Sequence, residues 1–338
     1  MSETVIIYHK VVLYMENKVK SIGILTSGGD APGMNAAIRA VVRTAISRGV
    51  KVYGVMRGYN GLIDGDVVEM SLRSVSDIIH RGGTILYTAR SPLFKTEEGQ
   101  KLAVENCRKF GIEGIAVIGG DGSFRGAADL TSRGINCVGL PGTIDNDISA
   151  TEYTIGFDTA MNTATEMVDK LRDTTQSHDR CSVVEVMGRK AGYLALQTGI
   201  AVGATSIIVP EVPYDFEKDI ISKIRDTQAA GKKHFIIVVA EGVGHVNELA
   251  ERIEEATGIE SRATVLGHVQ RGGSPTVRDR EIASRMGYHA ANLLCDGIGN
   301  RIVSMRGGKI VDDDIYEALA MKKEFDYEGY KIANTISI

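Results

Sequence analysis

Four stretches of this 338-residue chain set glycine, hydroxyl, carboxylate and guanidinium groups at spacings that suit phosphate chemistry. The first is Thr26-Ser27-Gly28-Gly29-Asp30-Ala31-Pro32-Gly33-Met34-Asn35, between an aliphatic run and an alanine-rich segment. Where side chains are missing, backbone N–H groups can approach an anion at a helix N-terminus, where the dipole favours it. A tight strand-to-helix turn that binds nothing has the same composition. In the second, Gly119-Gly120-Asp121-Gly122-Ser123, Asp121 either holds Mg²⁺, which accepts one or two carboxylates plus phosphate oxygens, or caps the next helix. Gly120, Gly122 and Gly126 are spaced one residue too widely for a dinucleotide fingerprint, and no P-loop pattern ending in Gly-Lys-Ser/Thr occurs. The third, Pro141-Gly142-Thr143-Ile144-Asp145-Asn146-Asp147, offers a general base, a second acid and a hydroxyl donor, although Asp and Asn also build ordinary turns. The fourth is basic: Arg90 follows an expected strand over 84–88, and Arg189 follows Val183–Val186. The guanidinium fork suits phosphate oxygens. Arg180, Arg262, His268 and Arg271 add more cations than one transferred phosphoryl group needs, which a second, fixed phosphate on the acceptor would explain. Taken singly, each arginine reads as a solvated surface residue; only the grouping says otherwise.

The elements that must position these groups are legible as short aliphatic runs, each followed by Gly or Pro and then by helical periodicity. The runs are Ile22–Leu25, Val50–Val55, Ile115–Ile118, Cys137–Leu140, Val183–Met187, Ile207–Val209, Phe235–Val239 and Thr264–Leu266. Helical faces include Met161, Ala164, Val168 and Leu171, then Val246, Leu249, Ile253 and Ala256, then Ile282, Met286, His289 and Leu293. Strands without in/out alternation fit a parallel sheet covered on both faces, so the expected class is α/β with βαβ units throughout. Pro32, Pro92, Pro141, Pro210 and Pro275 all fall shortly after expected strands, at the edge where open α/β sheets bind ligands. Three phosphate-compatible loops at one such edge are harder to explain as ordinary turns than any one of them. A strand, Gly-Gly-Asp and helix recur at Ile24–Asp30 and Ala116–Asp121.

At this length a single core usually splits in two. The chain carries 39 basic and 43 acidic residues, net −4 and well mixed, which argues against a nucleic-acid partner. No apolar stretch approaches the ~20 residues a membrane span needs, and no signal peptide is evident. Cys107, Cys137, Cys181 and Cys295 lie far apart, as suits reduced thiols of a cytoplasmic protein without a zinc site.

Together the motifs resemble bacterial ATP-dependent 6-phosphofructokinase. The likeness is carried by Ser27–Asn35, Gly119–Ser123, Pro141–Asp147, Glu185-Val186-Met187-Gly188-Arg189 and Leu266-Gly267-His268-Val269-Gln270-Arg271-Gly272-Gly273-Ser274-Pro275, in order from about Lys20 to near the C-terminus. The resemblance implies phosphoryl transfer from MgATP to the 1-hydroxyl of fructose 6-phosphate. It implies Asp145 as the base, Asp121 as the Mg²⁺ ligand, Thr143 bonding the moving group, Asp147 supporting the same centre, and Arg90 and Arg189 facing its charge. Along the nucleotide it implies Gly29, Tyr59, Arg90, Ser91, Lys95, Gly120, Asp121, Gly122 and Ser123. At the acceptor it implies Thr143, Asp145, Met187, Gly188, Arg189, Glu241, His268 and Arg271, with Arg180 and Arg262 reaching in from a neighbouring subunit of a homotetramer. Pyrophosphate-dependent relatives resemble Asp and Lys at the positions of Gly122 and Gly142, so two glycines favour ATP.

For an effector site binding ADP or phosphoenolpyruvate, the resembling residues are Arg39, Arg43, Asp77, Arg172, Gly203 and Lys232. Leu72 replaces an expected arginine, and Thr205 an acidic residue, which leaves the strength and direction of regulation open. The resemblance also implies two lobes, each a largely parallel sheet covered by helices: 20–156 plus 270–320 for nucleotide, 157–269 plus 321–338 for sugar phosphate. Residues 1–19 are expected to be a disordered extension or a misread start. The rival readings are a lipid or NAD kinase, which would lack the Thr143–Asp147 and His268–Pro275 motifs, and a nonenzymatic nucleotide sensor, which would be expected to have lost Asp145, Asp121 or Arg189.

Overall fold

In the computed structural model, residues 19–337 are described; the expectation for the N-terminal extension falls almost entirely outside them. The chain opens with β1 (Ser21–Thr26), α1 (Met34–Ser47), β2 (Lys51–Val55), α2 (Tyr59–Asp64), β3 (Val67–Met70), α3 (Glu97–Phe110), β4 (Gly114–Gly119), α4 (Asp121–Ser132) and β5 (Asn136–Pro141). It continues with α5 (Phe157–Ser177), β6 (Cys181–Val186), α6 (Tyr193–Ala201), β7 (Ser206–Ile208), α7 (Ser222–Ala229), β8 (Phe235–Ala240), α8 (Val246–Thr257), β9 (Ser261–Val265) and α9 (Val277–Cys295). It ends with β10 (Arg301–Arg306), β11 (Lys309–Asp314), α10 (Ile315–Ala320) and α11 (Tyr327–Ile336).

Two compact units form. The first comprises the described part of Met1–Gly142 with Ser149–Glu152 and Arg280–Met321; the second comprises Thr143–Ile148, Tyr153–Asp279 and Lys322–Ile338. The borders thus fall at 142/143 and 279/280, with a short return at 149–152, where the sequence expectation has 156/157 and 269/270. Hydrogen bonding accounts for the difference. Glu152 N donates to Met305 O, and Thr151 accepts from Met305 N, which ties 149–152 to β10. Thr154 and Tyr153 instead bond to Thr143 and Asp279 in the second unit.

The first unit is built on a seven-stranded sheet of order β11-β10-β5-β4-β1-β2-β3. Strands β1, β2, β4, β5 and β10 run parallel, with registers such as Ile24↔Ala116 and Ala116↔Val138. Every residue of β1 and β4 is buried, as continuous aliphatic runs in a covered parallel sheet require. Helix α1 packs on β1, β2 and β4, and α4 on β4 and β5. Both edges depart from the βαβ expectation: β3 is antiparallel to β2, and β11 to β10. The β10–β11 hairpin turns on Gly307 (φ 56) and Gly308 (φ 73), the pair of left-handed residues that a two-residue turn matched to strand twist demands. The expected strand over 84–88 is absent: Tyr87 is left-handed (φ 55), and the Tyr87 carbonyl is taken by the Thr26 hydroxyl at 2.8 Å. Arg90 and Pro92 therefore follow a coil rather than a strand.

The second unit holds an all-parallel sheet of order β7-β8-β6-β9, with α5 and α8 packed on β6 and α6 on β7 and β8. Its core includes Val183, Ile208, Ile220, Ile224, Phe235, Ile237, Val239, Leu249 and Ile253. Asp279 is fully buried beside the start of α5. It accepts from Gly156 N (2.8 Å), Thr159 N (2.8 Å), Thr159 Oγ1 (2.5 Å) and Tyr153 Oη (3.0 Å), so N–H groups that a helix leaves unmade are met by a distant carboxylate.

In the first unit, Phe124 on α4 is fully buried, and its ring fills the space over Gly139 where a Cβ would approach within 2.7 Å. Phe124→Ala is expected to lower stability by about 3–5 kcal/mol, read as a lower urea midpoint with unchanged slope; a midpoint within error of the parent would show that the sheet closes over the gap.

Candidate functional site

In the first unit the two glycine motifs follow β1 and β4, neighbours in the sheet, at their C-terminal edge. They are locked together by Ser27 N donating to Ile118 O (3.0 Å) and Ser123 Oγ to Ser27 O (3.1 Å). A Cβ on Gly119 would collide with the Ser27 carbonyl and the Ser123 hydroxyl, so glycine there is fixed by loop-to-loop contact. Gly33 begins α1 from the left-handed region (φ 106), and no side chain caps that helix. β5 ends at the same edge, with Gly142 N donating to Gly119 O at 2.9 Å.

Asp121 is the first residue of α4, with Gly120 at the cap position and no side-chain cap, so the capping alternative is not realised. Its carboxylate is instead half-exposed and paired with Arg125 at 2.9 Å. No group of three or more His, Cys, Asp or Glu side chains that could cage a metal occurs among the described residues. A lone, solvent-accessible carboxylate beside glycine loops fits Mg²⁺ held mainly by phosphate oxygens and water, and Arg125 is a competitor the ion would displace. Around Gly122 a Cβ would meet nothing within 4 Å, so this position faces open space, whereas at Gly142 it would meet Ile118 Cγ2 at 2.9 Å and Met34 Cε at 3.2 Å. Gly142 is therefore closely packed by side chains of its own unit, which a larger residue would have to displace.

Gly29, Arg90 and Lys95 are exposed, and Ser91 Oγ accepts from Phe94 N at 3.3 Å, within a short 3-10 turn over Leu93–Lys95. Arg90 is placed by Asn60 Nδ2 donating to its carbonyl at 3.2 Å. Tyr59 departs from its expected place along a nucleotide. It is 4% exposed, stacked on Phe94 (4.0 Å, 19°), with its hydroxyl donating to Ser123 O at 2.6 Å. It supports the second glycine loop from beneath, and burial raises its phenol well above the ordinary value.

In the second unit Thr143, Asp145, Arg189, Glu241 and Arg271 converge. Asp145 is 2% exposed, its Oδ2 lies 3.5 Å from Arg189 Nε, and its Oδ1 has no hydrogen-bond partner among the described residues. Burial raises the carboxyl above its ordinary value; Arg271 and then Arg189 pull it back, Glu241 raises it again, and the Thr143 hydroxyl lowers it. Desolvation wins, which leaves a carboxylate more basic than one in water with an oxygen free to accept a proton. Arg189 is left-handed (φ 55), and Glu241 fixes that turn by accepting from its N–H at 2.6 Å. Met187, 9% exposed, follows β6 with Gly188, while the exposed His268 lies with Arg271 on a 3-10 turn over Gly267–Arg271. Asp147 lies close enough to Tyr193 for its charge to raise that phenol, which burial raises most, to about 12.

Arg180 and Arg262 are not brought to Asp145. Arg180 immediately precedes β6 and Arg262 is the second residue of β9, at the opposite end of these parallel strands from Met187. Arg262 is level with Ser182, so at about 3.3 Å per residue the separation from Met187 is about 16 Å for Arg262 and about 23 Å for Arg180. Glu260 binds both, at 2.7 Å from Arg180 Nε and 2.6 Å from Arg262 Nη2.

Of the expected effector residues, Arg172, Gly203 and Lys232 lie together in the second unit. Arg172 donates to Val202 O beside Gly203, and burial followed by the Arg172 charge lowers Lys232 below its ordinary value. In the first unit Arg39 and Arg43 share a face of α1, and Asp77 is left-handed (φ 56). Leu72 is 48% exposed, and Thr205 is buried with an unpartnered hydroxyl.

Two residues were not singled out by sequence reasoning. Gln270 is fully buried and joins the strand end to the 3-10 turn, accepting from Met187 N (3.2 Å) and donating to Gly267 O (2.9 Å). Its signal was its place inside the His268–Arg271 motif. Lys323 donates to Asn146 O at 2.7 Å, and nothing in its surroundings in sequence marks it.

Residues 21–294 match the family model described as phosphofructokinase. The ATP-dependent 6-phosphofructokinase of Clostridium botulinum is 58% identical over 319 residues, covering 94% of this chain and all of the relative, and that of Clostridium tetani is 56% identical with the same coverage. The phosphofructokinase of Saccharomyces cerevisiae superposes with a TM-score of 0.85 at 35% identity, covering 94% of this chain and 46% of that one. A pyrophosphate-dependent phosphofructokinase of Marinobacter aquaeolei, 23% identical, shares the fold with a TM-score of 0.82 over 92% of this chain and 86% of that one. This two-sheet α/β chain with glycine loops and a buried acid belongs to the phosphofructokinase family.

Because the folded-state value of Asp145 is raised, its contribution to stability is complete below the unfolded-state value near about pH 4 and is lost as pH rises through the folded-state value. Asp145→Asn, which stays neutral, is expected to melt at higher temperature than the parent at pH 7, the gap closing toward about pH 4. Scanning calorimetry across that range checks this; a variant less stable than the parent at pH 7 would count against the desolvated carboxylate.

Proposed function

We propose that this protein transfers the γ-phosphoryl group of MgATP to the 1-hydroxyl of fructose 6-phosphate, giving fructose 1,6-bisphosphate and ADP in the cytoplasm. The observation that carries the reading is Asp145: a buried, basic carboxylate with one unpaired oxygen, flanked by two arginines. The high identity to relatives named ATP-dependent 6-phosphofructokinase supports the donor and the acceptor. Open space at Gly122 agrees with a donor larger than pyrophosphate.

In this reading the first unit binds the nucleotide on the Gly28–Gly33 and Gly119–Ser123 loops, with Arg90 and Lys95 as cations, and the second unit holds the acceptor. Asp145 takes the proton of the 1-hydroxyl as its oxygen bonds to the γ-phosphorus, and the bond from that phosphorus to the β–γ bridging oxygen breaks to release ADP. Arg189, held by Glu241, faces the charge spread over the transferred group, and Thr143 donates to it. Asp121 would hold Mg²⁺, which neutralises charge on the β- and γ-phosphates when bound. Such transfer relies on positioning and cations, so no nucleophilic Cys or Ser-His pair is required. Met187, His268 and Arg271 line the acceptor, and its 6-phosphate is met by Arg180 and Arg262 of a neighbouring copy in a homotetramer; their place at the far end of β6 and β9 supports a role outside their own chain's site.

Purified protein with MgATP and a panel of sugar phosphates is expected to release ADP with fructose 6-phosphate, and to form no fructose 1,6-bisphosphate when pyrophosphate replaces ATP. Asp145→Asn is expected to retain substrate affinity and lose roughly 10²–10⁴ in kcat; turnover within a few-fold of the parent would remove Asp145 as the base.

Regulation by ADP or phosphoenolpyruvate through Arg39, Arg43, Asp77, Arg172, Gly203 and Lys232 belongs to the same proposal. With Leu72 and Thr205 in place of two polar groups, the response is expected to be weak. Titrating each compound against the rate at low fructose 6-phosphate checks this, and strong activation with strong inhibition would show the replacements to be harmless.

A further inference from the structure

The loop carrying Asp145 is held from a direction that no sequence motif announces. Lys323 Nζ donates to Asn146 O at 2.7 Å, and that carbonyl belongs to the peptide joining Asn146 to Asp147. Asn146 is left-handed (φ 50), so the turn separating the two aspartates is one whose conformation needs outside support. The ammonium also lies over the Tyr193 ring, 4.9 Å from its centroid, and the Tyr193 hydroxyl donates to Glu324 O at 3.3 Å.

Placement of this lysine depends on how the C-terminal segment docks within the second unit. Phe325 is 7% exposed and packs against Tyr193 (6.0 Å), Tyr327 (5.4 Å) and Tyr330 (6.1 Å). The Tyr330 hydroxyl donates to Ile207 O at 3.2 Å, and Lys223 Nζ to Asn334 Oδ1 at 2.5 Å. On the other side of the loop, the Thr154 hydroxyl donates to Thr143 O at 2.6 Å. The Thr143–Asp147 turn is thus gripped at both ends, by a neutral donor near the base and by a charged one just after it.

We infer that Lys323 is a positioning residue for the proton acceptor: its bond to the Asn146 carbonyl, steadied by its seat over the Tyr193 ring, fixes the turn that aims Asp145. The inference rests on the reading of Asp145 as the base. A neutral donor could hold the carbonyl, but only a cation is also held in place by the face of the Tyr193 ring.

The test uses the full-length chain with Lys323→Met and Lys323→Arg, beside Asp145→Asn. Lys323→Met is expected to lose roughly 10–100-fold in kcat, as a small misplacement of a catalytic group can, with KM for MgATP within about twofold. Lys323→Arg is expected to recover most of the loss. Amide exchange in the peptide covering 143–148 is expected to quicken in Lys323→Met while exchange in β6 and β8 stays as in the parent. Parent-like kcat and exchange in Lys323→Met, with Asp145→Asn inactive, would overturn the inference and leave the base assignment standing. Parent-like kcat in Asp145→Asn would overturn the base assignment, and with it the inference. Exchange quickened throughout the second unit, with no recovery in Lys323→Arg, would mark Lys323 as a structural residue only and so also overturn the inference.

Discussion

The second unit is organised around one uncomfortable charge. Asp145 is nearly inaccessible, and leaving one of its oxygens unpaired costs on the order of 1–3 kcal/mol or more for a charged group. Such an arrangement persists only when its surroundings are otherwise satisfied, and here they are. Thr154 holds the Thr143 carbonyl, Glu241 holds the Arg189 amide, Gln270 joins the end of β6 to the turn carrying Arg271, and Asp279 closes the start of α5. The arginines pull the carboxyl down less than burial pushes it up, so the group stays basic. A base with a vacant acceptor position is a destabilised group in the free protein and a useful one when a hydroxyl arrives.

The first unit meets a different constraint, close approach of one glycine loop to another. Its glycines do distinct jobs. Gly119 is needed because two loops touch, Gly142 because Ile118 and Met34 fill the space beside it, and Gly122 leaves space open. Asp121, the acid between Gly120 and Gly122, is paired only with an exposed arginine one turn along α4, an interaction worth little in water and easily exchanged for a stronger cation. Pairing is weak at the surface of this loop, and support beneath it, from Tyr59 and Ser123, is firm.

Much of this was legible because it is local. Glycine-rich turns after aliphatic runs announce backbone that must come close to something, and the parallel core strands follow from runs without alternation. The hairpin on Gly307 and Gly308 is equally local, and it breaks the βαβ pattern of the strands before it. The segment 84–88 misled for the opposite reason: its composition suits a strand, yet Thr26 captures the Tyr87 carbonyl and Arg57 N donates to Leu86 O, so side chains and loops take the bonds a sheet would use.

By itself, the sequence determined which groups could do the chemistry and on which strand ends they stand, since residue type and the order of strand, turn and helix are properties of neighbours along the chain. The tertiary structure decided how those groups behave. That Asp145 is basic depends on burial outweighing Arg271, far along the chain; that Tyr59 is buried beneath the second glycine loop depends on Phe94 and Ser123; that Arg180 and Arg262 share Glu260 depends on the pairing of β6 with β9. Lys323 reaches the Asn146 carbonyl only because an aromatic cluster docks the C-terminal segment. Desolvation and distant contacts have no period in the sequence, so only the folded chain reveals them.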